Sequence, residues 1–277
     1  MSKKIYAPGD ITGLAADIAD RKKAAAMARR EGKKKDAPDA RAVYLEACAA
    51  IAGAFAPDGF KFAKSGPHVT AKSADKRFTY TVSFQSSRHN IAGEHVQLLA
   101  HVGIESPVVK QWATALWKAH GGEEYGNKGF IAGTQLGYLA PEPERDWIHW
   151  ELAGGKNREA AIAEVTDRIR RHVLPWFAHC EDIPALVEKI EKTGSYPQLD
   201  TFPSNFLLCF ASREQTERAL RSYLAGLPRP AQGNLYKEVA KARAESPLRI
   251  NYSGFYGCDV RTLLAEGIEF PPLADFT

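Results

Sequence analysis

Between Arg77 and Phe84 the chain reads RFTYTVSF, with apolar and hydroxyl residues in alternation. A period of two places Phe78, Tyr80, Val82 and Phe84 on one face of a strand and Thr79, Thr81 and Ser83 on the other. The alternation stops at Ser86-Ser87-Arg88-His89-Asn90, residue types that favour turns, so the strand is expected to leave the sheet there. Upstream the period is helical. Val43, Tyr44, Ala47, Cys48, Ile51 and Phe55 fall on one face of a predicted helix over residues 38–56, which Pro57-Asp58-Gly59 ends.

FKFAK, HVTAKSA and GEHVQLLAHVGI read as further strands joined by short turns, which favours antiparallel neighbours. In the last of these, Val96, Leu98, Ala100, Val102 and Ile104 share a face opposite His95, Gln97, Leu99 and His101. A helix over 107–119 follows, with Val109, Trp112, Ala113 and Leu116 inward. Two more strands are expected around Ile131 to Tyr138 and Trp147 to Leu152, with Pro141 and Pro143 in the loop between them. Parity there sends Ile148, Trp150 and Leu152 to the core and Trp147, His149 and Glu151 to the other side. Residues 157–178 form a clear amphipathic helix, capped by Asn157 and kinked or ended by Pro175. From Ile183 onward the pattern is mostly helical.

These elements predict an α+β fold: an antiparallel sheet of about five or six strands, helices on one face, and a helical C-terminal subdomain. The expected division is a basic helical extension (1–37), an α+β core (38–182) and the C-terminal subdomain (183–277).

FAPDGFKFAK (55–64), FTYTVSFQSSRHN (78–90), HVGIES (101–106), DWIHWEL (146–152) and RIRRHVLPWFAHCED (168–182) together resemble a bacterial family, the domain of unknown function numbered 4304. The likeness spans about residues 40–190. These pieces carry packing rather than chemistry, and the family offers no catalytic residues to transfer. The resemblance implies a small α+β protein of bacterial or mobile-element context, of a kind that includes immunity- and defence-like proteins.

Composition narrows the function classes. The 277 residues are 44% hydrophobic and 25% charged, enough for a substantial core. No apolar run reaches the roughly 18 residues of a membrane span, and MSKKIYAPGD lacks the apolar core of a secretory signal. Cys48, Cys180, Cys209 and Cys258 form no C-x-x-C pair, as suits buried thiols in a reducing compartment. A cytoplasmic protein with no membrane association is expected. A net charge of +4 is too small to imply nucleic acid, but the basic N-terminal stretch is a possible contact for an acidic partner or nucleic acid.

The candidate chemistry is thin. There is no G-x-S-x-G elbow, no phosphate-binding glycine loop and no zinc-site spacing. His95 and His101 are six residues apart on a strand, too far to chelate one ion. Neither a metal nor a cofactor is expected. His101, His149 and Glu151 share the polar face and are the candidate acid–base residues for a hydrolase or nuclease-like activity on nucleic acid or nucleotide. The absence of catalytic signatures favours a non-enzymatic protein that binds a partner protein in immunity, defence or counter-defence. Arg88 and His89 at the sheet rim, and Arg29, Arg30, Lys33, Lys34 and Lys35 in the basic extension, are its candidate contact residues. The third reading is an accessory protein that binds nucleic acid through the same extension.

Overall fold

The computed structural model describes residues 38–121, 129–250 and 259–276, together with Lys23. The first helix, α1 (Ala40–Gly53), begins where the Asp39 carboxylate accepts a hydrogen bond from the Ala42 amide. This satisfies one of the donors that a helix start leaves without an intrahelical partner. Four antiparallel strands then follow in order: β1 (Lys61–Ala63), β2 (His68–Lys72), β3 (Thr79–Ser86) and β4 (Gln97–Glu105). Ser106 caps α2 (Pro107–Ala119), and Pro107 occupies a first-turn position that needs no amide hydrogen.

β5 (Phe130–Gln135) pairs with the C-terminal half of β4, and β6 (Trp150–Glu151) pairs with its N-terminal end. The sheet therefore has six strands, in the order β1-β2-β3-β4-β5 with β6 beside β4. The fold class matches the sequence reading. The strand expected to run to Tyr138 instead stops at Gln135, where a 3₁₀ turn (Leu136–Leu139) takes over. Gln135 explains the stop. Its side chain accepts from the Gly137 amide at 2.7 Å and donates to the Ile148 carbonyl, drawing the returning chain against the turn. Gly137 is required for that approach, because a Cβ there would meet the Asp146 carbonyl oxygen at 2.1 Å.

The long amphipathic segment starts as α3 (Gly155–Arg168), preceded by Gly154 rather than by an Asn157 cap. Pro175 does not terminate it. A π-helical turn (Ile169–Val173) intervenes and the chain continues as α4 (Leu174–Ala178). The wider turn makes room for a proline ring that would clash with the carbonyl four residues back in a regular helix.

The remaining helices are α5 (Ile183–Thr193), α6 (Ser204–Phe210), α7 (Arg213–Gly226), α8 (Arg229–Ala244) and α9 (Val260–Ala265). Ser212 and Gln215 form a reciprocal capping box at the start of α7. These helices share one buried cluster with the sheet, running from Val43 to Phe270. Phe210 of α6 packs on Phe78 with ring centroids 5.6 Å apart, and Trp176 donates to the Pro197 carbonyl at 2.9 Å. The C-terminal helices thus extend the core.

Strand register fixes the two faces. Val82 pairs with Val69 and Val102, and Tyr80 with Ala71 and Ile104, so these residues point together toward the helices. Tyr44 of α1 donates its hydroxyl to the Phe84 carbonyl at 2.6 Å. Tyr80 stacks on Phe177 at 4.8 Å and donates to Glu181, and burial with that bond drives its hydroxyl pKa well up. Thr79, Thr81 and Ser83 on the opposite face are only partly covered. Among the described residues, no helix is long and apolar enough to cross a membrane.

Candidate functional site

The partly uncovered face of the sheet holds the residues that parity set apart. Across its middle, Ser83 of β3, His101 of β4 and Gln135 of β5 lie in register. Ser83 donates to the His101 carbonyl at 3.4 Å. The His101 ring meets Trp147 edge-on, with centroids 5.8 Å apart, and its Nε2 is buried with no hydrogen-bond partner among the described residues. Desolvation lowers the His101 pKa, so the ring is neutral at pH 7. Trp147 itself is 49% exposed, and Tyr138 also meets it edge-on, with centroids 6.2 Å apart. Beyond His101, Gly103 and Gly133 face each other across the β4–β5 pair. The ring of Phe130, itself exposed, leans over Gly133.

Glu151 belongs to another place. It pairs with Gln97, four residues from His101, which on a strand is about 13 Å along the sheet. Its carboxylate accepts from the Val96 amide at 2.7 Å and the Ala153 amide at 2.8 Å, and its other oxygen is in contact with His95 Nδ1. Glu151 thus anchors the start of β4 to β6. His149 is exposed beside it. The structure brings His95, rather than His101, to Glu151. Parity had put His95 on this face, and the β4–β6 register is what makes it a diagonal neighbour of Glu151.

The SSRHN segment forms the rim. Asn90 donates to Ser86 at 2.9 Å and accepts from the Gln97 amide at 2.9 Å, bracing the loop across both strands. Ile91 and His95 then bridge around Gly93, whose φ of +71° suits a glycine. Arg88 and His89 are exposed at the tip, with Arg88 Nε 3.2 Å from His89 Nε2. Arg29, Arg30, Lys33, Lys34 and Lys35 lie outside the described residues. Among the described residues, no group of three or more histidine, cysteine or carboxylate side chains could hold a metal ion.

Two features were not anticipated. Parity puts Trp147 on this face, but it lies outside the short β6, and its seat against the His101 ring is not read from the sequence. A cavity of about 510 Å³ beside β5 joins Tyr138, Glu142 and Arg145 to Leu199, Asp200 and Thr201, which are distant in sequence.

An α+β domain with helices on one sheet face and an aromatic, largely polar surface on the other is the class that this geometry defines. Residues 51–179, just under half of the chain, match the family model described as Domain of unknown function (DUF4304), the family that the sequence resembles. The match starts within α1 and closes just after α4, so it holds all six strands. Neither a curated protein nor a solved structure matches the chain.

Proposed function

We propose that the protein is a non-enzymatic binding protein that engages a partner protein through the uncovered sheet face and its rim. The observation that supports this most is Trp147, a large ring left half exposed and edged by His101 and Tyr138. Exposed aromatic residues set in a polar surround are the usual anchors of protein–protein interfaces. Phe130 on the same face and Arg88 and His89 at the rim enlarge the surface. The immunity, defence or counter-defence setting implied by the family resemblance is part of this proposal, because such proteins act by occupying a partner's surface.

The acid–base reading finds less support. Glu151 is occupied by two backbone amides and His95, and lies far along the strand from His101. The test is affinity capture from host and phage-infected lysates with the full chain and with Trp147→Ala. A protein retained by the parent and lost with the variant, at equal stability of the two baits, supports the proposal. A capture profile that the substitution leaves unchanged rejects it.

A further inference from the structure

The cavity beside β5 shares Tyr138 with the proposed partner surface, but its charged lining is its own and is chemically specific. Arg145 reaches into it and is about two-thirds covered. Its Nη2 donates to the Gln198 carbonyl at 3.5 Å and to the Asp200 carboxylate at 3.3 Å, the second an ion pair. The Nε and Nη1 donors have no protein partner among the described residues. A guanidinium in this state offers a free edge to a carboxylate. Glu142 lines the same cavity and makes no ion pair or hydrogen bond among the described residues, and the Asp200 carboxylate is 90% exposed. The hydroxyls of Tyr138, Thr134 and Thr201 add polar groups, and the Tyr138 ring supplies a surface on which a cation can rest.

The walls therefore carry one positive and two negative side chains. A ligand that satisfies them has one carboxylate for Arg145 and cationic groups for Glu142, Asp200 and the Tyr138 ring, with a net charge of +1 to balance the net −1 of the walls. The volume of about 510 Å³ falls within the range of small-molecule sites, about 300–1,000 Å³. We infer that this cavity binds a net-positive zwitterion of the basic amino-acid type. The same chemistry is offered by a free basic amino acid and by a basic residue at the C-terminus of a peptide.

The experiment is calorimetric titration of the full chain with L-arginine, with the peptide Gly-Gly-Gly-Arg, and with two probes lacking the carboxylate, agmatine and the amidated peptide. Saturable binding of arginine or the free-acid peptide is expected, with each carboxylate-free counterpart weaker by about tenfold or more. Tighter binding of the peptide identifies a chain end as the source, and tighter binding of arginine identifies the free amino acid. Glu142→Gln, at an exposed position with no hydrogen bond or ion pair among the described residues, should weaken binding by about fivefold or more, and Arg145→Gln should weaken it further. No saturable binding up to about 10 mM overturns the assignment, as does equal binding of agmatine or indifference to Glu142→Gln.

Discussion

The two faces of β3 and β4 are built from the same residues of sequence, taken alternately, yet they have divided their duties. On the helix side Tyr80, Val82 and Phe84 are at most 6% exposed; a Tyr44 hydrogen bond ties them to α1, and Tyr80 stacks on Phe177 of α4 and donates to Glu181 just beyond it. On the other side Thr81, Ser83 and His101 remain partly covered, and the largest ring present, Trp147, is 49% exposed. One face spends its side chains on stability. The other leaves them available, and an exposed tryptophan that adds little to folding needs another reason to be there.

Two tryptophans break or sharpen this contrast most strongly. Trp176 is 1% exposed, wedged against Phe177 and Tyr196, and bonded to the Pro197 carbonyl. Trp176→Ala should cost about 3–5 kcal/mol in urea unfolding, enough to threaten the folded state. Next in size is Tyr44→Phe, which deletes the hydrogen bond that joins α1 to β3 and leaves a buried carbonyl short of a donor. A loss of about 1–2 kcal/mol is expected by the same measurement.

His101 gives a smaller, pH-dependent effect. Burial depresses its folded-state pKa below the unfolded value near 6.5. Its contribution is therefore complete above about pH 6.5 and is lost as pH falls through the folded-state pKa, because the unfolded chain takes up the proton first. His101→Gln should flatten this part of the urea-midpoint profile between about pH 7.5 and pH 5, and an unchanged acid slope would count against a desolvated ring. Trp147→Ala is expected to have the least effect on folding, within about 0.5 kcal/mol of the parent, despite deleting an equal side chain.

Much of the fold was legible because it rests on local rules. Parity sorted Phe78 to Phe84, turn chemistry placed the loop at Gly93, and the helical periods found α1 to α3. What was not legible depends on distant partners. Gln135 ends β5 because Ile148 returns to it, and Pro175 is tolerated because the preceding turn widens. His95 meets Glu151 only through the β4–β6 register, which sets Glu151 four residues along β4 from His101. The cavity joins Tyr138, Glu142 and Arg145 to residues more than fifty positions away, at Asp200 and Thr201, by a fold of the C-terminal helices that no short motif announces.

Oxidative footprinting of the tryptophans, in the free chain and in complex with the captured partner, tests the division of faces most directly. Trp176 should stay unmodified in both states, while Trp147 should label readily in the free chain and become protected in the complex. Equal labelling of Trp147 with and without the partner would contradict the account.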